Sequence, residues 1–415
     1  NGIQNSLMFS ISGNRFSRSP FAIIFASMVL TSIGLISLLS ISVHQSSDIL
    51  RSSFFKQLVF LGPSLIGLLT MIFIPKYLIH KYIFTMYFIV LGVLFLPYFS
   101  RTIAGTYRWI DLGPVGFQPS EFAKLIIVFS LAKYLSDHNL EMKNFLSFFF
   151  PTIMVIIPAV VILKQPDLGT ALILLTPLLP MLYWAGARSY HIFLFLAPLL
   201  SVLTAFHALS FSIWGVLMIV IIFLERPKLI FGLVIYFSNL FLGLLAPVLW
   251  NSLKDYQQNR ILTLINPELD PLGAAYQIIQ SQTAIGSGGV FGKGWGAGTQ
   301  THLKFLPVQE SDFILSVIGE ELGFVFIFVI ILVFTWMILK MVKLGYSSKD
   351  RFSGLVLIGI ASLFMAHVFV NIAMTVGMIP VKGLPLPFIS SGGSFLMSCF
   401  MMVGIVMNVG VDSTE

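Results

Sequence analysis

Long apolar runs separated by short polar stretches dominate the hydropathy pattern of the chain. A helix that crosses the hydrocarbon core of a bilayer needs about 20 mainly apolar residues. Twelve runs of roughly that length occur, at 21–43, 54–75, 82–99, 120–135, 146–163, 168–186, 191–207, 209–224, 229–250, 313–340, 354–378 and 387–410. The pattern predicts an all-α polytopic integral membrane protein with about 12 transmembrane helices.

The composition supports this class of protein and excludes others. Hydrophobic residues make up 57% of the 415 residues and charged residues only 10%, whereas a soluble domain carries about 25% charged residues. A soluble enzyme, a nucleic-acid-binding domain and a disordered chain are therefore excluded. The single cysteine, Cys399, leaves no disulfide framework and no thiolate metal cluster.

Lysine and arginine residues near the ends of the apolar runs indicate the orientation. With the N-terminus inside, the cytoplasmic segments hold more of these residues than the external ones, once the long segment 251–312 is set aside. Basic residues concentrate on the cytoplasmic side of membrane proteins. We therefore expect both termini in the cytoplasm. Residues 1–415 then form a single transmembrane domain, within which 251–312 is one large extracytoplasmic loop.

Most of the carboxylates fall on the opposite, external side of this predicted topology. They are Asp48, Asp111, Glu121, Asp167, Asp255, Glu268, Asp270, Glu310, Asp312, Glu320 and Glu321. The external segments are also rich in Gly and Pro, and irregular polar chain persists at membrane depth only where protein or a wet cavity covers it. The outer face is therefore predicted to carry the function.

Two external segments combine charged residues with the start of a helix. In residues 105–124, Glu121 and Lys124 are three apart and can pair on one helix face, and Trp109 is typical of an interfacial anchor. A surface ion pair explains this spacing without a catalytic role. Asp167, before the sixth apolar run, is either an N-cap or an ionisable site residue at a membrane helix end.

The loop 251–312 contains a glycine-rich stretch from Gly286 to Trp295 that includes Lys293. Glycines allow the backbone to approach a ligand closely, and Lys293 is placed like a base that contacts phosphate. The stretch lacks the Gly-Lys-Ser/Thr spacing of a Walker loop, so a nucleotide site is not predicted. A flexible glycine loop is the simpler alternative.

Three carboxylates lie close together where this loop enters the next helix. Asp312 is expected at the water–membrane boundary, beside the positive N-terminal end of the helix. Glu320 and Glu321 are expected about 12 and 13.5 Å deeper, at a rise of 1.5 Å per residue. Carboxylates at such depth are costly unless they are paired or used. A capping role for Asp312 remains an open alternative.

The last external segment, 380–394, is rich in Pro, Gly and Ser, and His367 and Asn371 precede it on one helix face. A buried His–Asn pair is more often a satisfied interhelical hydrogen bond than a ligand site. The sequence has no zinc-protease, nucleophile-elbow or dinucleotide motif. Two classes fit: a transporter whose broken helices bind an anionic substrate, and an enzyme acting on a lipid-borne substrate.

Five motifs, in order and over nearly the whole chain, resemble those of the SEDS family (shape, elongation, division and sporulation). They are Arg108-Trp109-Ile110-Asp111-Leu112-Gly113 with Gln118-Pro119-Ser120-Glu121; Gln165-Pro166-Asp167-Leu168-Gly169-Thr170; Ala284-Ile285-Gly286-Ser287-Gly288-Gly289; Asp312-Phe313 with Glu320-Glu321-Leu322-Gly323; and Pro385-Leu386-Pro387 with Ser391-Gly392-Gly393-Ser394. The elongation (RodA) branch, rather than the division (FtsW) branch, is suggested by Asn266-Pro267, Asp270-Pro271-Leu272-Gly273 and Gly292-Lys293-Gly294-Trp295.

The resemblance implies ten membrane helices, so the twelve apolar runs predict an inserted helical pair near 209–250. It also implies a peptidoglycan glycosyltransferase that polymerises lipid II during cell-wall elongation. The growing glycan would move from undecaprenyl pyrophosphate to the GlcNAc 4-hydroxyl of lipid II, with inversion because the donor linkage is α and the product β. The alternatives are a division enzyme with the same chemistry and a flippase or transporter of the lipid-linked precursor.

The same motifs imply roles for individual residues. Asp312 would be the catalytic general base that deprotonates the attacking hydroxyl. Substrate-binding residues, of which the basic ones would stabilise the pyrophosphate, would be Arg108, Trp109, Lys124, Arg260 and Lys293. Supporting residues would be Asp111, Glu121, Asp167, Glu320 and Glu321.

The resemblance further implies a class B penicillin-binding protein as transpeptidase partner within an elongation complex. It places the chain in the bacterial inner (cytoplasmic) membrane, with the active site on the extracytoplasmic side. The ligands would be lipid II and the undecaprenyl-pyrophosphate glycan, and no nucleic acid is expected. No cofactor is required by the motifs; a divalent cation (Mg or Mn) can assist such chemistry, but the sequence has no defined set of metal ligands.

Overall fold

A computed structural model of the chain describes residues 20–45, 50, 52–100, 106–111, 116–137, 145–266, 269–271, 273, 275–303 and 305–412. The side chains outside this description are those of 44–45, 145–146, 256, 260, 265 and 411–412. The described chain is nearly all helical, with one two-stranded antiparallel sheet. It forms two compact units.

The helices are numbered here in chain order. They are α1 (Phe21–Gln45), α2 (Ser53–Phe73), α3 (Lys76–Val93), α4 (Pro119–Asp137), α5 (Phe149–Lys164), α6 (Leu168–Leu175), α7 (Leu178–Trp184), α8 (Ser189–Thr204), α9 (Ala208–Glu225), α10 (Leu229–Leu244), α11 (Ala246–Asn251), α12 (Asp255–Ile265), α13 (Tyr276–Gly288), α14 (Thr299–His302), α15 (Ile314–Ser347), α16 (Arg351–Thr375) and α17 (Gly393–Asp412). The strands are β1 (Ile110–Asp111) and β2 (Gly116–Phe117).

Each predicted apolar run overlaps at least one of these helices, which confirms the all-α membrane class. Seven segments of the described chain are long and apolar enough to cross a membrane, namely Phe21–Val43, Ser53–Phe73, Lys76–Phe99, Ala208–Glu225, Ile314–Ser347, Arg351–Thr375 and Gly393–Gly410. Four shorter apolar helical segments are Phe149–Lys164, Leu168–Trp184, Ser189–Thr204 and Leu229–Leu244. The count of twelve spans therefore stays a prediction.

The first unit comprises residues 1–139, 150–181 and 277–415. α17 packs along α2, and α16 packs against both α4 and α15. α4 and α16 are buried along most of their length, so they form the centre of this unit. Apolar side chains buried on a helix are the main favourable term of its packing, and the few polar side chains on these two helices must find partners inside the unit.

The second unit comprises residues 140–149 and 182–276. Its helices α8, α9 and α10 pack against one another. Trp214 Nε1 donates to Ser201 Oγ at 2.7 Å, and Ser201 Oγ donates to Asn239 Oδ1 at 3.1 Å. These hydrogen bonds join three helices whose sequences are otherwise mainly apolar. α9 and α10 are the helical pair that the sequence predicts as an insertion.

The predicted loop 251–312 contains more regular structure than the sequence suggested. α12 lies in the second unit, whereas α14 and all but the first residue of α13 lie in the first. These helices are polar or short, so a search for long apolar runs does not detect them. The chain between α13 and α15 is the part that contributes to the site described below.

Candidate functional site

Asp312 lies in the turn directly before α15. Its backbone N–H donates to the Val308 carbonyl oxygen at 3.1 Å. The next residue, Phe313, is fully buried and precedes the first helical residue, Ile314, which is also fully buried. Packing of these two side chains fixes the helix start, and with it the backbone of the acid.

Three parts of the first unit hold Asp312. Ser311 Oγ donates to Asp312 Oδ1 at 2.9 Å. Asn371 Nδ2, on α16, donates to the Asp312 carbonyl oxygen at 3.0 Å and to the Leu384 carbonyl oxygen at 2.7 Å. Gly383 lies against the carboxylate, because a β-carbon on it would be 3.3 Å from Asp312 Oδ2. Asn371 therefore binds the backbone around the acid and is not paired with the histidine one turn before it.

The Asp312 carboxyl has a perturbed proton affinity. Burial raises its pKa from 3.8 to about 6, although the Ser311 hydrogen bond and the positive charge of Arg108 both lower it. Burial disfavours the charged form of a carboxyl, and opposite charges favour it. A base whose pKa lies near neutral pH is matched to proton transfer at that pH.

Arg108 lies close enough to Asp312 for its charge to act on that carboxyl, and it also contacts Asp167. Arg108 Nε is 3.6 Å from Asp167 Oδ2, and Arg108 Nη2 donates to the Pro166 carbonyl oxygen at 2.5 Å. Asp167 is buried and also accepts hydrogen bonds from Thr170 N at 3.1 Å and Thr170 Oγ1 at 2.8 Å. The structure confirms that Asp167 caps α6. It also places Asp167 against Arg108, and a role at the site stays a prediction.

Lys124 and Glu121 form an ion pair inside the protein. Lys124 Nζ is 2.6 Å from Glu121 Oε2 and 3.0 Å from His367 Nε2, and it lies 5.1 Å from the centre of the Phe395 ring. The side chains of Lys124 and Glu121 are almost completely buried. The spacing predicted the pair, but the surface position suggested as its simplest explanation is wrong.

Lys293 and Glu320 form a second ion pair, at 2.7 Å. Glu320 is fully buried and accepts further hydrogen bonds from the backbone N–H groups of Thr299, Gln300 and Thr301 and from the hydroxyls of Thr299 and Thr301. Lys293 Nζ also donates to Thr299 Oγ1 at 2.8 Å. The Glu320 carboxylate therefore fastens the start of α14 and the glycine-rich stretch to α15.

The glycine-rich stretch joins α15 where that helix is interrupted. Gly323 has φ 82° and ψ 177°, which breaks the helix and leaves the carbonyl oxygens of Glu320 and Glu321 without their usual partners one turn on. Lys293 N donates to the Glu320 carbonyl at 3.0 Å, and Gly294 N donates to the Glu321 carbonyl at 2.9 Å. The stretch supplies the hydrogen bonds that the helix has lost.

Backbone N–H groups of α15 also donate hydrogen bonds to the glycine-rich stretch. Phe324 N donates to the Gly289 carbonyl at 3.0 Å, and Val325 N donates to the Val290 carbonyl at 3.1 Å. A β-carbon on Gly292 would collide with the Glu321 carbonyl. The glycines thus allow close approach, as the sequence suggested, but what they approach is the backbone of α15. Neither a ligand contact nor a loosely held loop is needed to explain them.

Trp109 and Asp111 belong to the small hairpin that β1 and β2 form. The Trp109 ring lies over Gly116, where a β-carbon would be 3.1 Å from the ring. The Asp111 side chain is exposed, and its backbone N–H donates to Ser100 Oγ at 3.3 Å. The hairpin therefore orients Trp109 and the chain on either side of it.

The remaining predicted residues are Glu321 and Arg260. Glu321 is buried, accepts a hydrogen bond from Ser40 Oγ at 2.6 Å, and lies 3.3 Å from His302 Nε2. It therefore connects α1 and α14 to α15. Arg260 is in α12, within the second unit, and its side chain lies outside the described part of the structure.

A metal site is not apparent in the part of the chain that the structure describes. Among those residues, no group of three or more His, Cys, Asp and Glu side chains is placed to hold a metal ion. Two of the other candidate site carboxylates have protein partners: Asp167 has Thr170 and Arg108, and Glu320 has Lys293.

Two residues at the site were not singled out from the sequence, Ser311 and the specific glycine Gly383. Ser311 is next to Asp312 in the chain, so its adjacency was available as a signal, but its hydrogen bond depends on the turn geometry. Gly383 is 71 positions further on, and only the tertiary structure brings it to Asp312. Its φ of +64° is in the region that favours glycine.

Comparison with known families gives a match over almost the whole chain. The family described as "Cell cycle protein", which groups FtsW, RodA and SpoVE, matches residues 21–214 and 207–415. This match spans both compact units and every site residue named above.

Individual relatives are similar to the same extent. The chain is 30% identical to "Peptidoglycan glycosyltransferase RodA" of Treponema pallidum, over 94% of this chain and 96% of the relative. It is 33% identical to "Peptidoglycan glycosyltransferase MrdB" of Escherichia coli, over 75% and 72%. A solved structure described as "Structural coordination of polymerization and crosslinking by a peptidoglycan synthase complex" is 25% identical, with a TM-score of 0.69 over 95% of this chain and 98% of that one.

Proposed function

Because the chain belongs to the SEDS family of FtsW, RodA and SpoVE cell cycle proteins, we propose that it polymerises lipid II into glycan strands during cell-wall elongation. The observation that carries the proposal is the Asp312 carboxyl. It is held at the start of a long membrane helix by hydrogen bonds, lies beside one arginine, and has a pKa of about 6. A helix cap alone needs none of these features.

In the proposed reaction, the Asp312 carboxylate takes the proton of the GlcNAc 4-hydroxyl of lipid II. The hydroxyl oxygen bonds to the anomeric carbon of the growing glycan while the bond from that carbon to the pyrophosphate oxygen breaks. The proton ends on Asp312, and undecaprenyl pyrophosphate leaves. General-base assistance of this kind contributes about 10²–10⁴-fold to a rate.

Arg108 is the proposed ligand of the departing pyrophosphate. A guanidinium forms bidentate, charge-assisted hydrogen bonds with phosphate oxygens, and Arg108 is the cation whose charge acts on Asp312. Asp167 orients Arg108 through their 3.6 Å contact. Trp109 is proposed to pack against lipid or sugar, and Arg260 remains a candidate pyrophosphate ligand.

The two buried ion pairs are proposed to position structure rather than to bind substrate. Lys124 is 0% exposed and bound to Glu121 and His367, so reaching a pyrophosphate would require it to leave both. Lys293 is bound to Glu320, which holds the broken helix. We therefore assign neither lysine to the leaving group, although the motif resemblance suggested both.

We also propose that the chain acts with a class B penicillin-binding protein in the bacterial inner membrane, with Asp312 on the extracytoplasmic side. The similarity to a structure described as a peptidoglycan synthase complex supports such a partner. An extracytoplasmic site also fits the chemistry, because strands polymerised on that side need no further transport.

A reconstitution experiment separates polymerisation from transport. The purified full chain is placed in vesicles with fluorescent lipid II on the outer leaflet, and the products are separated by gel electrophoresis while lipid movement is followed by quenching. We expect glycan polymer from this protein with no dependence on lipid movement. Lipid crossing the bilayer without any polymer, with and without an added class B penicillin-binding protein, would support the transporter alternative.

A further inference from the structure

The two oxygens of the Asp312 carboxylate have different surroundings. Oδ1 accepts the hydrogen bond from Ser311 Oγ at 2.9 Å. Oδ2 accepts no hydrogen bond from the described residues, and the nearest chain to it is Gly383, on which a β-carbon would be 3.3 Å away. Oδ1 is therefore hydrogen-bonded to the protein, whereas Oδ2 faces a glycine, which has no side chain to fill the space beside it.

Ser311 is itself fixed from the opposite side. Ser390 Oγ donates to the Ser311 carbonyl oxygen at 2.5 Å and accepts from the Leu386 N–H at 2.8 Å. Asn371 binds the Asp312 and Leu384 carbonyl oxygens. Ser390 thus binds the Ser311 backbone directly, and Asn371 bridges the Asp312 backbone to Leu384. Both backbones are fixed while the serine hydroxyl donates to the carboxylate.

The geometry points to a division of labour in which Ser311 is a positioning residue that holds Oδ1, and Oδ2 is the atom that receives the proton. Gly383 keeps the space in front of Oδ2 open for the acceptor hydroxyl. The inference rests on the proposed function, because it assumes that Asp312 is the general base. It adds which oxygen acts and which two residues determine that choice.

Other charged groups near Asp312 do not perform the role of Ser311. Arg108 acts on the acid through its charge and is engaged with Asp167. Lys382 precedes Gly383 in the chain, and its carbonyl lies against Gly169 at the start of α6. Glu310, two residues before Asp312, accepts a hydrogen bond from Ser53 on α2. None of these three side chains has a hydrogen bond to the Asp312 carboxylate among the described contacts, whereas Ser311 donates one.

The test of Ser311 is the pH dependence of polymerisation by the purified full chain. Loss of a hydrogen bond that favours the charged form should move the acidic limb of the pH–rate profile of Ser311→Ala upward by about 0.5–1 pH unit. Ser311→Thr, which retains the hydroxyl, should restore the original limb. A merely structural role would lower the rate at every pH without moving the limb, and that result would overturn the assignment.

The test of Gly383 uses a second glycine as a matched control. Gly383→Ala adds a methyl group next to Oδ2, so we expect at least a tenfold loss of turnover. Gly289→Ala imposes similar strain, since Gly289 has φ +58°, but no atom lies within 4 Å of its β-carbon position. Equal losses in the two variants, at equal melting temperature, would attribute the effect to backbone strain and remove Gly383 from the inference.

Different results would contradict the role of Asp312 as the base and the assignment of its two oxygens. If Asp312→Asn keeps its activity, the base lies elsewhere and the proposed mechanism fails before Ser311 is considered. If Asp312→Asn is inactive and the limb of Ser311→Ala does not move, Asp312 remains the base and only the division between its oxygens is wrong. Melting temperatures of both Ser311 variants, compared with that of the unmodified chain, show that each comparison is made between folded proteins.

Discussion

Asp312 is partly buried, and it lies where the polar loop meets the apolar helix, as the sequence predicted. It stands at the start of α15 beside Arg108, and burial raises the pKa of its carboxyl to about 6. Because a protonated carboxyl cannot accept the hydroxyl proton, the rate should fall about tenfold per pH unit below 6 and reach a plateau above 7. A pH–rate profile at saturating lipid II measures this, and a flat profile between pH 5 and 7 would contradict it.

The same perturbation has a consequence for stability. A carboxyl whose pKa is higher in the folded state than in the unfolded chain binds its proton more tightly when folded, so its effect on stability becomes less favourable as pH rises from about 4 to 6. Above that range the folded protein carries a buried negative charge. Replacing Asp312 with a neutral residue of the same shape should therefore not lower the melting temperature at pH 7.

The glycines around Lys293 in the sequence suggested a phosphate contact, but the structure pairs Lys293 with Glu320. Lys293→Ala should lower the stability of the detergent-solubilised protein by about 1–3 kcal/mol, because a charged hydrogen bond to the buried Glu320 is lost. Adding Glu320→Gln to Lys293→Ala should recover part of this loss, since the unpaired charge is then absent. If Lys293→Ala instead leaves the melting temperature unchanged but reduces the rate of lipid II polymerisation, Lys293 binds substrate and the structural role of its ion pair with Glu320 is wrong.

Sequence reasoning therefore found the charged residues more readily than their partners. The three-residue spacing of Glu121 and Lys124 predicted their pair because both lie on one helix. The partner of Lys293 lies 27 positions away on another element, and no local pattern reports such a contact. The polar-to-apolar transition predicted that Asp312 lies at the start of a helix, whereas the hydroxyl and the glycine at its two oxygens could not be predicted from any local pattern.

At the scale of elements, the interruption of α15 changes how its acids should be viewed. The part after Gly323, residues 324–347, is about 36 Å long at 1.5 Å per residue and can span a bilayer by itself. Glu320 and Glu321 then need not lie at membrane depth, contrary to the expectation from an unbroken helix. Their backbone carbonyls and side chains are occupied by the glycine-rich stretch, α14 and α1.

The interruption predicts opposite outcomes for two glycine substitutions. Gly323→Ala should destabilise the protein by at least about 1–3 kcal/mol, since this backbone conformation is essentially restricted to glycine and the new β-carbon would collide with Gly292 N. Gly92→Ala, on α3, meets no atom within 4 Å and should leave stability unchanged or slightly higher. Thermal unfolding in detergent measures both, and similar melting temperatures for the two variants would argue against the interrupted helix.

Most elements were predictable because a membrane helix needs an apolar run of fixed length. The apolar runs coincide with helices, and the segments where α6 and α7 or α10 and α11 replace one long helix contain proline. The break at Gly323 was not predicted, because the apolar run 313–340 was interpreted as one helix that continues through Glu320, Glu321 and Gly323. The helices within 251–312 were not predicted either, because polar or short helices produce no long apolar run.

At the scale of the whole molecule, a cluster of basic residues and Asp312 lie toward opposite ends of α16 in the first unit. Lys76, Lys81 and Arg351 line a cavity of about 410 Å³ together with Asp137 and Asp350. α16 runs from Arg351 at this end to Asn371 at the Asp312 end, a rise of about 30 Å. Basic residues gathered at one end fit the predicted orientation, with that end in the cytoplasm and Asp312 outside.

Cysteine labelling in intact cells tests this orientation. Cys399 is buried, so the native background should be low. Leu269→Cys, within 251–312 and 62% exposed, should react with a membrane-impermeant maleimide added outside, whereas Tyr346→Cys, at the end of α15 and 81% exposed, should react only after permeabilisation. The reverse pattern would invert the topology and place Asp312 on the cytoplasmic side.

The role of Asp312 as general base is tested most directly by the polymerisation rate of Asp312→Asn with purified lipid II. Asn keeps the shape of the side chain but cannot take a proton, so we predict a loss of about 10²–10⁴-fold with normal folding and partner binding. Asp137→Asn is the matched control, because Asp137 pairs with His80 at the other end of the first unit, and it should keep nearly full activity. If folded Asp312→Asn retained more than a tenth of the activity, the general base would lie elsewhere, and the account of this site would be wrong.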